Sequence, residues 1–207
     1  MKKYFMIFAL GMIALSTAAF AGTTAVNTNT VSPTLQISAT IQKAVQLTLS
    51  TGTAAVTHCT VVPTGGTPDY TMNFGTVDAL GVNTGNCNKF NPANAGVDNA
   101  IYWSDYNLTP VFTSQSTANN TITAQVTTNF AVSNIFIVRD SANSSTVPAS
   151  AAAFTAVGTA TADTIATNAT NGTALTRFIG VAVKPDNGAT VGTGAQSATV
   201  TFTLTVQ

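Results

Sequence analysis

Between Leu35 and Leu49 every odd position but one is apolar, and nearly every even position is polar. Leu35, Ile37, Ala39, Ile41, Val45, Leu47 and Leu49 share one side of an extended chain, with Gln36, Ser38, Thr40, Gln42, Gln46 and Thr48 on the other. A period of two specifies strand, not helix. These 15 residues, at about 3.3 Å each, span roughly 50 Å, whereas a usual strand has about five or six residues. One small domain can hardly use the whole run as a single strand. Lys43 is the interruption on the apolar side. It reads as the join between a first strand over 35–41, free to pair elsewhere, and a second over 44–49 that belongs to the core.

Further strand-like segments follow at 54–62, 70–77, 100–106, 110–114, 121–127, 130–138, 177–183 and 198–206. Turn-forming clusters separate them, including Pro63-Thr64-Gly65-Gly66, Asn83-Thr84-Gly85-Asn86 and Asp186-Asn187-Gly188. Segment 130–138 is apolar on both sides, with Phe130, Val132, Phe136 and Val138 alternating against Ala131, Ile135 and Ile137, which predicts a central strand covered on both faces. In the last segment Val200, Phe202, Leu204 and Val206 face one way and four Thr the other, so its apolar side is expected in the core. Residues 141–172 are rich in Ala, Thr and Ser with weak periodicity, and accommodate either a short helix near 149–156 or a long surface loop. Many short strands with turns between them specify an all-β fold, a sandwich or barrel.

The N-terminus changes the setting. Lys2 and Lys3, an apolar stretch over 5–15 and the small-residue sequence Ala19-Phe20-Ala21 together read as a secretory signal peptide cut after Ala21. No later stretch reaches the roughly 20 apolar residues of a membrane span, so the mature chain is expected to be exported, through the periplasm, to the cell surface or medium. Residues 22–34 are polar and Thr- and Asn-rich, as in a mobile extension. The domain reading is therefore signal peptide over 1–21, N-terminal extension and candidate donor strand over 22–42, and one β-sandwich domain over 43–207. After cleavage, Lys43, Lys89, Arg139, Arg177 and Lys184 stand against seven Asp and no Glu. That balance offers no electrostatic case for nucleic acid or an anionic membrane. It gives a polar, nearly uncharged surface suited to packing beside copies of itself.

Candidate chemistry is sparse. Cys59 and Cys87 are the only cysteines, and an even pair in an exported chain most often forms a disulfide; two buried free thiols are the alternative. His58 directly precedes Cys59, so on a strand the two point to opposite faces and cannot act together as metal ligands or as nucleophile and base. Turn roles explain the seven Asp, and no phosphate loop, nucleophile elbow or zinc-binding helix motif is present. The sequence therefore reads as that of a non-enzyme without cofactor or metal. Trp103, flanked by Tyr102 and Tyr106, is the one aromatic cluster that offers a sugar-stacking platform, with core packing at a sheet edge the favoured reading.

The order Cys59-Thr60-Val61, then Met72-Asn73-Phe74-Gly75-Thr76-Val77-Asp78, then Cys87, with an alternating strand at the end of the chain, resembles the spore coat protein U family of secreted bacterial proteins, which includes subunits of archaic chaperone-usher pili. The resemblance implies an incomplete immunoglobulin-like antiparallel β-sandwich, completed by the N-terminal strand of a neighbouring subunit. It also implies a periplasmic chaperone and an outer-membrane usher as partners. The residues themselves agree in one respect: an extension followed by an over-long strand is what β-strand addition requires, with Leu35, Ile37, Ala39 and Ile41 as the side chains that fill pockets. The expected function is a structural subunit of an extracellular fibre that assembles head to tail with copies of itself. The alternative is a monomeric secreted carbohydrate-binding or adhesin module using the Trp103 cluster. A small outer-membrane barrel fits less well, because the terminal aromatic residue and aromatic girdles are missing.

Overall fold

The computed structural model of the protein describes residues 35–40, 44–113, 120–185 and 194–206. The expected signal peptide, residues 22–34, Ile41, Lys43 and the turn at 186–188 lie outside them. The chain divides after Ile41 into two units. In the first, residues 35–40 hold no regular strand and all six are exposed.

The second unit is all-β, with antiparallel ladders throughout and, among the described residues, no helix beyond one 3-10 turn at Ala151–Ala153. Its strands are β1 (Val45–Thr51), β2 (Val61–Pro63), β3 (Tyr70–Met72), β4 (Asn88–Phe90), β5 (Ala100–Phe112), β6 (Thr121–Thr128), β7 (Ile135–Asp140), β8 (Phe154–Ala156), β9 (Asp163–Thr167), β10 (Leu175–Val183) and β11 (Thr199–Thr205). The larger sheet runs β1-β5-β10-β7-β8, with β4 also on β5. A smaller sheet runs β11-β6-β9, and β2 with β3 makes a separate hairpin. These are open sheets with free edges, not one closed barrel wall.

The centre is β5, a single 13-residue strand where two shorter ones are expected from the sequence. Pro110 suggests a break there, since proline cannot donate to a ladder. However, β10 ends opposite Leu108, and the Pro110 carbonyl instead accepts the Gly172 N–H at 2.7 Å. Proline thus sits where no interior ladder bond is lost. Alternation along β5 sends Tyr106 and Leu108 towards the smaller sheet, where they meet Ile122, Ala124 and Val126 of β6 and Ile165 of β9. Ile101 and Trp103 point to the opposite face, packed with Phe178 and Val138 beneath Phe90 and Phe154. Gly180 lies opposite Trp103 in the ladder, and a Cβ there would come within 3.1 Å of the Trp103 Cα.

Two expected strands are shorter than their patterns. Over 54–60 the chain is a loop, because its amides find side-chain acceptors in place of a ladder: Ala54 N–H donates to Asp105 Oδ2 (2.8 Å), Thr57 N–H to Asn88 Oδ1 (3.3 Å) and Cys59 N–H to Ser104 Oγ (2.9 Å). β3 stops at Met72, where Asn73 Oδ1 takes the Gly75 N–H at 2.8 Å and Gly75 adopts a φ of +75°, a turn that glycine enters freely. In the region 141–172 the 3-10 turn falls within the stretch that suggests a short helix, but β8 and β9 are strands that weak periodicity conceals.

Candidate functional site

The two flanks of the facing sheets differ. On one flank the chain itself crosses between them: Val157 N–H donates to Ile137 O (3.0 Å) on β7, and Val126 N–H of β6 donates to Gly158 O (2.9 Å). Arg139 of β7 adds an ion pair to Asp163 of β9, at 3.1 Å. Burial raises the Asp163 pKa, but the guanidinium and the Gly158 N–H outweigh it and hold the carboxyl below its ordinary value.

The other flank is open. Here β1, the edge of the larger sheet, and β11, the edge of the smaller one, approach one another without pairing, each with a ladder on one side only among the described residues. Between them runs an apolar groove of about 390 Å³. Leu47 and Leu49 form one wall, Val200 and Phe202 the other, and Tyr106, Ile137 and Ile179 the floor. The β2–β3 hairpin flanks one end, presenting Pro68, Asp69, Tyr70 and Met72 at its rim. The Tyr106 and Phe202 rings pack at 5.5 Å between centroids. Burial pushes the Tyr106 phenol pKa up despite the opposing pull of Arg177 and Arg139, so the floor is uncharged at neutral pH. The apolar side of β11 packs against the core, as its alternation predicts, but is only half covered: Val200, Phe202 and Leu204 touch the core yet remain partly exposed.

Of the predicted strand-donating residues, Leu35 and Ile37 are each 84% exposed, Ala39 is exposed, and Ile41 lies outside the described residues. Cys59 and Cys87 are joined in a disulfide with a Cα–Cα separation of 5.2 Å. Closing 28 residues stabilises the fold by about 3–4 kcal/mol on the chain-entropy model. His58 lies in the loop 54–60, not on a strand, and its Nδ1 lies 2.6 Å from Asp105 Oδ1.

The aromatic cluster does not form a ligand platform. Trp103, Tyr102 and Tyr106 are 4%, 1% and 3% exposed, and Trp103 projects to the opposite face of β5 from the two tyrosines. Neighbours in sequence on a strand cannot share one face. Trp103 stacks under Phe90 at 5.4 Å, and the Tyr102 hydroxyl is 3.2 Å from Asp78 Oδ2. The groove walls are what the sequence reading leaves unassigned. Their signal lies in the two cleanest alternating segments, which supply the two edge strands of the open flank.

Among the described residues no helix is long and apolar enough to cross a membrane. Comparison with protein-family models, with curated proteins and with solved structures finds no match to this chain.

Proposed function

We propose that the protein is a structural subunit of an extracellular fibre or pilus, in which residues 35–41 of one copy lie as a strand in the groove between β1 and β11 of the next. The carrying observation is the asymmetry of the two flanks: one is closed by the chain itself, while the other leaves two edge strands facing each other over an apolar floor. On this reading the facing sheets are an immunoglobulin-like sandwich short of one edge strand. A second support is the occupant. A segment with apolar residues at every second position, exposed over its described residues 35–40, matches a groove that is apolar inside and flanked by two edge strands.

Burying Leu35, Ile37, Ala39 and Ile41 removes a few hundred Å² of apolar surface from water, a gross gain of roughly 5–10 kcal/mol before the cost of ordering the segment. Donor and acceptor are different surfaces, so the contact is head-to-tail and propagates into a filament. The order of Cys59, residues 72–78 and Cys87, which resembles that of the spore coat protein U family, agrees with this reading, and on it a periplasmic chaperone and an outer-membrane usher are the export partners.

Ile37→Asp tests it without disturbing the domain. Because Ile37 is exposed, the variant should keep the wild-type melting temperature yet remain monomeric, while the wild-type mature chain forms polymers that survive unheated detergent electrophoresis. Equal polymer yield from both proteins would contradict strand donation by this segment.

A further inference from the structure

The chain carries few charges, and nearly all of those described are satisfied internally. Asp78, Asp98, Asp105, Asp140 and Asp163 each accept hydrogen bonds from the chain around them. Lys89 is held by the Gly81 and Asn83 carbonyls, Arg139 by Asp163, Arg177 by the Ile165 and Thr176 carbonyls, and Lys184 lies over the Phe136 ring at 5.0 Å. Asp69 is the exception: it is exposed, and alone among the described carboxylates its side chain has no partner. It stands at the rim of the groove, on a hairpin turn fixed by the Thr64 N–H to Asp69 carbonyl bond at 2.9 Å. The remaining cation beyond residue 21 is Lys43, two residues after the last apolar position of the donor segment and on the same side of its alternation.

The ladder registers say which end of the groove Lys43 reaches. Val45 pairs with Phe112 and Thr205 with Thr121, and Asn171 bridges to Phe112, so the root of the extension and the end of β11 share one end of the domain. The hairpin and the start of β11 lie at the other. If a donor strand left the groove at the Val45 end, the roots of two extensions would compete for the same place. Head-to-tail growth therefore has it leave at the hairpin, running antiparallel to β11. About 7 Å beyond Ile41 in an extended chain, Lys43 then arrives at the rim.

We propose, on the strength of the strand-donation reading above, that Asp69 receives Lys43 of the incoming copy and so sets the register of the donor strand. This explains why a single charge interrupts an otherwise apolar alternation. A strand slipped by two residues would keep its apolar face inward but would carry the ammonium into the apolar groove or leave Asp69 unmet. The pair is at the surface, so its effect falls on association rate and register more than on the strength of the finished contact.

The test uses the full mature chain with Asp69→Lys, Lys43→Asp and both together, followed by light scattering at low salt. Each single reversal should slow assembly about tenfold, the double reversal should return to within about twofold of wild type, and the differences should fade near 1 M NaCl. Single variants that assemble at the wild-type rate, or a double reversal no faster than the singles, would overturn the pairing while leaving strand donation standing. A wild-type protein that does not assemble in the same measurement would remove both.

Discussion

Asp105 is completely buried on the outer face of β5, with one carboxylate oxygen taking the Ala54 N–H and the other facing His58 Nδ1. Gly52 packs directly over it, so close that a Cβ there would lie 2.7 Å from the Asp105 carbonyl carbon. Together with Ser104 Oγ on the Cys59 amide, this carboxylate holds the whole connection from β1 to β2 against the sheet. Asp105→Ala leaves the half-buried Ala54 N–H and the His58 imidazole without their partner and should cost about 2–4 kcal/mol in urea unfolding. His58→Ala should cost about 1 kcal/mol, because the imidazole is partly solvated and the Ala54 bond survives. Equal losses for the two would place the energy in the pair alone. Turn-like surroundings account for Asp78 and Asp140, which cap neighbouring loop amides, but not for Asp105. Its partners lie 47 and 51 positions earlier, a separation that no local pattern encodes.

At the scale of elements, the outcome turns on what each strand's backbone can pair with. Segments with large apolar residues at every second position, 44–49, 121–127, 177–183 and 198–206, all contain strands close to where periodicity places them. Segment 54–62 carries a similar composition yet is largely loop, since side-chain acceptors on β4 and β5 capture its amides. β9 hides for the opposite reason: only Ile165 and Ala166 of its five residues are buried, too few to show a period. That strand nonetheless holds the closed flank through Asp163. The Asp163 carboxyl, and likewise Asp78 under its loop amides, has a folded pKa below the ordinary value, burial notwithstanding. Such groups stabilise the fold fully above the unfolded pKa of about 3.9, and this contribution is lost as pH falls from there through the lower folded value. Asp163→Asn should therefore unfold at lower urea than wild type near pH 7 and converge with it near pH 2. A difference that persists undiminished in acid would assign the loss to packing instead of charge.

At the scale of the whole molecule, two properties visible in the sequence and one visible only in three dimensions combine. The over-long alternation at 35–49 and the sparse charge both point to a chain that pairs beyond itself. Which edges remain free was not legible, because sheet order depends on contacts between residues 55 to 84 positions apart: β1 finds β5, and β6 finds β11. The result is a domain closed along one flank and open along the other, with the partly exposed side chains of Leu47, Leu49, Val200 and Phe202 lining the opening. The aromatic cluster, by contrast, is spent on the core, which leaves the groove as the feature around which a function can be built. Size-exclusion chromatography with electron microscopy, on the mature chain and on a version lacking residues 22–42, tests this most directly. Strand donation predicts filaments from the first and monomers from the second; two equally monomeric, equally stable proteins would contradict it.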